Sequence, residues 1–171
     1  QTENNQRAVE FIGKAIKVNP SSAPAHYNLG NALGALGKHE EAISSYNQAI
    51  QLKPDYFEAH NNLGNALNGV GKFKEAIPYF MQAIKLKCGY FEAHYNIANA
   101  LYGLGRFKEA ILNYTEAIKL NPGYSAAHYN LANALQELGK SDEAIRGYTQ
   151  AISLDPGYIS AHYNLGNAFQ K

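Results

Sequence analysis

Residues 25–33 read AHYNLGNAL, and closely related versions of this segment return every 34 residues. The later copies begin at Ala59, Ala93, Ala127 and Ala161. A fixed period of this length is the sequence signature of a repeat protein, in which each unit packs only against its neighbours. The repeat therefore determines the fold, and the other features are interpreted within it.

Each period contains two apolar segments of roughly 13 residues, in which apolar residues recur at three- and four-residue steps, as is typical of amphipathic helices. The first segment is followed by Gly37, Gly71, Gly105 or Gly139, and the second in three periods by Pro54, Pro122 or Pro156. Glycine can adopt the left-handed conformation that ends a helix, and proline cannot continue one. The pattern predicts one helix hairpin in each period.

Small residues recur in both predicted helices of the hairpin. They are Gly30, Gly64, Ala98, Ala132 and Gly166 in the first helix, and Ala42, Ala76, Ala110 and Ala144 in the second. The second helix then carries an aromatic residue, at Tyr46, Phe80, Tyr114 and Tyr148. We expect the small residues to let the paired helices approach closely, with the aromatic ring filling the gap beside them.

The period and its small, aromatic and proline positions resemble those of the tetratricopeptide repeat family over essentially the whole chain. The resemblance implies an all-α fold, an alpha-alpha superhelix built as a right-handed solenoid of antiparallel helix hairpins. We predict a single array over residues 1–171. It divides into a half-repeat at 1–22 (a second helix), repeats at 23–56, 57–90, 91–124 and 125–158, and a half-repeat at 159–171 (a first helix). The half-repeats predict that the chain is a fragment of a longer protein.

One side of each predicted first helix is polar. Tyr27, Asn28 and Asn31 fall within about 100° of one another on a helical wheel, opposite the apolar side. In tetratricopeptide arrays the first helices line the concave face, so the resemblance implies a groove with two rows of Asn. The predicted peptide-binding residues are Tyr27, Asn28, Asn31, Asn61, Asn62, Asn65, Tyr95, Asn96, Asn99, Tyr129, Asn130, Asn133, Tyr163, Asn164 and Asn167.

Two interpretations of these rows are open. An Asn amide carries both a donor and an acceptor, which matches the groups that an extended peptide backbone presents, and Tyr adds flat apolar area. Alternatively, Asn hydrogen-bonds neighbouring helices of the stack and fixes their spacing. Different rows can serve different purposes. The positions that vary between repeats, Gly34, Asn68, Tyr102 and Gln136, are predicted to lie close to the rows and to set the register of a bound segment.

The partner class follows from two comparisons within the family. Members that bind the C-terminal carboxylate of chaperone tails use Lys and Arg on the concave face, whereas this chain has Tyr, Asn, Gly, Glu58 and Glu92 there. The AHxNLGNAL segment with its repeated Asn is instead similar to the repeat region of protein O-linked N-acetylglucosamine transferases. The resemblance implies a scaffold that binds an extended peptide segment of a partner protein, or the substrate-recognition arm of such a glycosyltransferase.

A structural module that assembles with itself is the alternative function. The two predicted half-repeats motivate it, because the helix carrying Leu165, Ala168 and Phe169 could dock beside the helix carrying Val9, Ile12 and Ile16 of another copy. Such a contact is head to tail, and contacts of this kind propagate unless they close.

Composition argues against nucleic acid and membranes as partners. The 15 basic and 14 acidic residues are mixed along the chain and leave a formal charge of +1, so no extended field attracts anionic partners. No apolar run approaches the ~18 residues that a membrane helix needs. We expect a cytoplasmic protein, although its N-terminus looks truncated. Cys88 is the single cysteine, which excludes an internal disulfide, and it is expected to fill a turn.

The sequence predicts neither an enzyme nor a metal or cofactor site. His26, His60, His94, His128 and His162 occur once per repeat. Equivalent helices lie about 10 Å apart, whereas zinc ligands must all lie near 2 Å from the metal. We expect each imidazole ring to pack between the two helices of its hairpin. No nucleophile, base and orienting group converge outside the repeat pattern.

Overall fold

The computed structural model describes residues 2–170, so the first and last residues of the predicted half-repeats lie outside it. Within this range the chain forms α-helices and no strand. In chain order the helices are α1 Thr2–Val18, α2 Ala23–Ala35, α3 His39–Leu52, α4 Phe57–Gly69, α5 Phe73–Leu86, α6 Phe91–Gly103, α7 Phe107–Leu120, α8 Ser125–Glu137, α9 Ser141–Leu154 and α10 Ile159–Ala168.

The helices belong to two compact units. The first unit ends at Cys88 and contains α1 to α5, and the second begins at Gly89 and contains α6 to α10. Within each unit every helix packs against the next helix along the chain. The first helices of neighbouring hairpins also touch, α2 with α4 in one unit and α6 with α8 in the other. The predicted all-α fold of stacked helix hairpins is confirmed, while the exact repeat boundaries stay a prediction.

Glycine and proline end the helices where the sequence predicts. The glycines that follow α2, α4, α6 and α8 have φ between 71° and 77°, the left-handed region that ends helices at little cost for glycine. After α2, the amide of Lys38 donates to the carbonyl oxygen of Leu33, which satisfies a carbonyl group of the last turn. The helices α3, α7 and α9 end two residues before a proline.

Small residues and aromatic rings form the core between paired helices. Ala42, Ala76, Ala110 and Ala144 have no exposed surface. A Cβ atom on Gly30 would lie 2.5 Å from the ring of Tyr46, and one on Gly64 would lie 2.5 Å from the ring of Phe80. The predicted close approach is therefore confirmed in these two hairpins. A Cβ on Gly166 would meet nothing within 4 Å, since no helix follows α10 in the described range.

The end helices of the described range expose apolar side chains. Helix α1 has no fully buried residue and leaves Phe11 58% exposed. Helix α10 leaves Ile159 82% and Tyr163 70% exposed. No helix within residues 2–170 is both long enough and apolar enough to cross a membrane.

The alanine packing predicts a position-dependent cost for a larger side chain. Ala110 lies on α7 with no exposed surface, so Ala110→Leu would force the paired helices apart. We expect a loss of about 1–3 kcal/mol from the free energy of unfolding, measured as a lower urea midpoint by circular dichroism. Ala15→Leu on α1 is the control, since Ala15 is exposed. Equal midpoints for the two variants would contradict the packing.

Candidate functional site

The residues predicted to bind peptide lie on the first helices of the hairpins. In the first unit these are α2 and α4, and in the second unit α6, α8 and α10. Their positions are three or four residues apart, so they share one side of each helix. The hydrogen bonds around them divide the set into residues joined within the fold and residues left exposed.

In the first unit, an Asn side chain connects three helices. The Nδ2 of Asn62 on α4 donates to the hydroxyl of Tyr27 at 3.2 Å and to the Oδ1 of Asn31 at 2.9 Å, both on α2. The hydroxyl of Tyr46 on α3 donates to the same Oδ1 at 2.9 Å. These contacts, which we term the Asn–Tyr network, connect α2, α3 and α4 through polar atoms.

The same network occurs twice in the second unit. Asn130 donates to the hydroxyl of Tyr95 at 2.9 Å and to the Oδ1 of Asn99 at 3.2 Å, which also accepts from Tyr114 at 2.6 Å. One hairpin further along, Asn164 donates to Tyr129 at 3.1 Å and to Asn133 at 3.0 Å, and Tyr148 donates to Asn133 at 2.8 Å. Threefold recurrence of identical bonds marks the network as part of the repeat.

The network supports the structural interpretation for part of the predicted set. The amide nitrogens of Asn62, Asn130 and Asn164 donate within the protein, so they are not available to a ligand without loss of these bonds. Asn61 is also unsuited to ligand contact, because it is only 4% exposed and donates to Asn62 at 3.2 Å.

Three Asn residues of the set lie on the surface instead. Asn28, Asn65 and Asn167 are exposed. The reason is clearest at Asn65, which occupies the position of Asn31 in its hairpin. In its hairpin the position of Tyr46 is occupied by Phe80 of α5, which has no hydroxyl group to donate. Asn167 has no second helix after it within the described range.

Two pockets open beside the network at equivalent positions of the repeat. The pocket in the first unit has a volume of about 280 Å³ and lies between α2 and α4, next to Asn31, Tyr46, Asn62 and Asn65. The pocket in the second unit has a volume of about 330 Å³ and lies next to the corresponding Asn133, Tyr148, Asn164 and Asn167. Gly34 lines the first pocket, and Tyr102 and Gln136 line the second, so these variable positions do lie near the Asn rows.

Burial controls the ionisation of the network tyrosines. The pKa of Tyr46 is raised to about 12, mainly by burial and secondly by the neighbouring Tyr27. Burial likewise raises the pKa of Tyr148 to about 12, with Tyr129 as the next cause, and it also raises the pKa of Tyr114. These hydroxyls therefore remain protonated donors throughout the neutral pH range.

Four of the repeated histidines hydrogen-bond the loop before their helix. The Nε2 atoms of His26, His60 and His128 lie 2.9 Å from the carbonyl oxygen of the proline six residues earlier, and that of His162 lies 3.0 Å away. These bonds tie a first helix to the loop before it. His60 shows the expected packing between paired helices, because it is buried and its ring stacks on that of Tyr79 on α5 at 6.4 Å between centroids. His162 is exposed, since no second helix follows α10 in the described range. Across residues 2–170, no three His, Cys, Asp or Glu side chains gather as metal ligands.

Sequence comparison identifies the repeat. Models of the tetratricopeptide repeat match residues 11–44, 55–122, 95–159 and 129–170, and a TPR repeat model matches residues 33–69. The chain belongs to the tetratricopeptide repeat family. No curated protein sequence matches it.

Solved tetratricopeptide structures share the fold. A crystal structure of MamA is 24% identical with a TM-score of 0.80 and covers 89% of each chain. YrrB, a TPR protein with an unusual peptide-binding site, is 24% identical with a TM-score of 0.78, covering 95% of this chain and 84% of its own. A thermophilic TPR protein from Thermus thermophilus, TTC0263, is 20% identical with a TM-score of 0.79, covering 98% and 91%.

The Asn–Tyr network of this tetratricopeptide array includes groups that sequence reasoning missed. The rings of Tyr46, Tyr114 and Tyr148 were expected only to fill a gap, yet their hydroxyls donate to the Asn row. The preference for Tyr over Phe at this position was the available signal, because gap filling alone needs no hydroxyl. Cys88 lies in a turn as expected, and its side chain is exposed.

The network predicts different effects for the same substitution at equivalent repeat positions. Asn130→Ala removes three hydrogen bonds, two that Asn130 donates to Tyr95 and Asn99 and one that it accepts from Asn133 at 3.5 Å. The part-buried Tyr95 hydroxyl loses this donor, and Asn99 keeps only the bond from Tyr114. We expect the free energy of unfolding to fall by about 1–3 kcal/mol, measured by urea denaturation. Asn28→Ala is the matched control, because Asn28 occupies the same repeat position and is exposed. It should change stability by less than about 0.5 kcal/mol, and equal losses in both variants would refute the assignment.

The buried tyrosines predict weaker folding at alkaline pH. A free tyrosine has a pKa of about 10, whereas the pKa values of Tyr46 and Tyr148 are raised to about 12. The native state then binds more protons than the unfolded state between these values, so stability is full below about pH 10 and falls as the pH rises towards 12. Urea midpoints measured across this range, alongside phenolate absorbance, check the prediction. A midpoint that stays constant to about pH 12 would show that the hydroxyls ionise freely.

Proposed function

We propose that the chain is a protein–protein interaction scaffold that binds an extended peptide segment of a partner on the first-helix face of its units. Membership of the tetratricopeptide repeat family supports this class of function, and the structural relative YrrB is itself described by a peptide-binding site. The single observation that carries the proposal is the recurrence of equivalent pockets on this face, one in each unit.

The exposed Asn residues are the groups that we assign to backbone recognition. Asn65 borders the first-unit pocket and Asn167 borders the second-unit pocket, and both are exposed. An amide can donate to a peptide carbonyl and accept from a peptide N–H at the same time. The network residues play a second part, since they fix the walls of the pockets and reduce the ordering cost of binding.

A scaffold of this kind serves as the substrate-recognition arm of a larger cytoplasmic protein, such as an O-linked N-acetylglucosamine-type glycosyltransferase. The support is the similarity of the AHxNLGNAL segment and its repeated Asn to that repeat region. In this arrangement the array selects protein substrates and chemistry takes place outside it. Neither nucleic acid nor a membrane is then required as a partner.

Self-assembly is the second candidate function, and exposed apolar surface on α10 and on the residue that follows it favours it. Phe169 is 69% exposed and Ile159 is 82% exposed. A Cβ on Gly166 would meet nothing, although the equivalent Gly30 faces the ring of Tyr46. A second helix docked there would resemble the packing inside each hairpin. Helix α1 of another copy, with Val9, Ile12 and Ile16, is the candidate occupant.

Removal of the exposed amides tests the peptide scaffold. The triple variant Asn28→Ala, Asn65→Ala and Asn167→Ala should fold normally and bind extended peptides about tenfold more weakly, because one or two net hydrogen bonds are lost. Peptide arrays identify the ligands, and fluorescence anisotropy measures the affinities. Circular dichroism verifies that the triple variant folds.

The control double variant is Asn4→Ala and Asn113→Ala, which removes amides from α1 and α7, outside the first-helix face. Equal peptide affinity in the triple and double variants would rule out the exposed Asn residues as ligand contacts. If the wild type binds no peptide and its light scattering rises with concentration, self-assembly becomes the function. Loss of that scattering in Phe169→Lys would locate the contact at α10.

A further inference from the structure

The pocket of the second unit has a carboxylate on its wall, which its counterpart in the first unit lacks. It lies between the ends of α6, α8 and α10, and we term it the Glu137 pocket after the side chain that distinguishes it. Its lining includes Tyr102, Gln136, Glu137, Asn133, Asn164 and Asn167. Its volume of about 330 Å³ is near the lower end of the range of ligand pockets, about 300–1,000 Å³, and suits a single long side chain.

The first-unit pocket provides the internal comparison. The Asn residues and the tyrosine of the wall are the same in both pockets. The positions equivalent to Gln136 and Glu137 are occupied by Gly34 and Ala35. The first-unit pocket, which His39 also lines, therefore has no carboxylate on its wall, and the two pockets differ in chemistry.

The carboxylate of Glu137 has no cationic partner in the fold. Among residues 2–170, none of the ion pairs includes Glu137, and no Lys or Arg lines the pocket. Its Oε1 accepts a hydrogen bond from the hydroxyl of Tyr102 at 3.4 Å. One weak bond leaves most of the acceptor capacity of a carboxylate unused.

The charge of Glu137 reaches the aromatic residues around the pocket. Burial raises the pKa of Tyr102, and the negative charge of Glu137 is the second cause. The same charge is a minor cause of the raised pKa of Tyr148, which also lines the pocket. A carboxylate that disfavours negative charge on two lining residues favours positive charge in the pocket that they line.

Two further groups suit a cation. Gln136 has a buried Oε1 without a hydrogen-bond partner in the described structure, so a donor brought by a ligand would satisfy it. The ring of Tyr102 is held by an edge contact with Phe107 at 5.2 Å between centroids. An aromatic face within about 6 Å of a cation attracts it through the ring quadrupole.

We propose that the Glu137 pocket binds the cationic side chain of a Lys or Arg residue in the bound peptide, so that the second unit selects segments carrying a basic residue. This inference rests on the proposed peptide-scaffold function. The Asn groups bind the backbone irrespective of sequence, and Glu137 adds the requirement for a positive charge. The first-unit pocket, with Gly34 and Ala35, accepts neutral residues.

Matched peptides test the selection. Each pair differs at one position, Lys or Arg against Gln, and binding is measured by fluorescence anisotropy at low and high salt. We expect the wild type to prefer the basic peptide by about two- to fivefold at low salt, which is the effect of one partly exposed ion pair. The preference should shrink at high salt because exposed charges are screened. In Glu137→Gln the preference should disappear while affinity for the neutral peptide stays the same.

Two further variants separate the pocket from net charge. Glu116→Gln removes a carboxylate on α7, outside the pocket, and should keep the preference. Ala35→Glu in the Glu137→Gln background places a carboxylate at the equivalent position of the first unit and should restore the preference. Equal binding of basic and neutral peptides to the wild type, or a preference that survives Glu137→Gln, would overturn the proposal.

A blocked amino acid distinguishes failure of the pocket from failure of the scaffold. If no peptide binds, N-acetyl-arginine amide is titrated into isotope-labelled protein, with the amide resonances of Gln136 and Glu137 as the readout. Saturable shifts that are absent in Glu137→Gln would support the pocket and refute the peptide scaffold. No shift in the wild type would overturn the pocket as well.

Discussion

The Asn amide that joins neighbouring first helices is the contact on which the first-helix face depends. Asn62, Asn130 and Asn164 each donate to a tyrosine hydroxyl and to an Asn oxygen of the preceding hairpin, and a second-helix tyrosine donates to that same oxygen. These part-buried polar groups satisfy one another, and leaving any of them unpaired would carry a desolvation cost. The bonds therefore fix the separation of adjacent first helices, and with it the width of the pockets between them. A face held in this way is ordered without a ligand, which is what the proposed peptide binding requires.

The hairpin of α4 and α5 shows how two substitutions within the repeat release a polar group to the surface. Phe80 preserves the ring that fills the notch at Gly64, but it cannot donate to the Asn row. Asn61 replaces the tyrosine of the other hairpins and turns its amide towards Asn62. Asn65 consequently stays exposed while Asn31, Asn99 and Asn133 accept from tyrosines. The same residue type at the same repeat position thus serves structure in one hairpin and is available to a partner in another.

Most of the fold could be predicted from the sequence, and much less of the site could. Helix ends follow from local causes, such as the left-handed conformation available to Gly37 and the position of Pro54, and such causes are readable within a few residues. The partners of an Asn amide are not local. Whether Asn62 meets Tyr27 depends on how α4 packs on α2, and whether Asn31 is exposed depends on the ring that α3 supplies. The pockets depend on the helix packing and on these rings, so the sequence alone could not predict them. The difference in charge between Ala35 and Glu137 gains meaning only because the structure places both residues on pocket walls.

The network bonds connect residues whose separations in the chain are 15, 31 or 35 positions. Each of these values is defined by the repeat itself, since the shortest lies within one hairpin and the others reach the next. Duplicating or deleting one whole period leaves every such separation unchanged, so an array can lengthen or shorten by recombination without new contacts having to arise. A single-residue insertion within a helix has the opposite effect, because it rotates every following side chain away from its partner. The hydrogen-bonding scheme thereby favours evolution in steps of one repeat, with ligand preference free to diverge at the few pocket positions outside it.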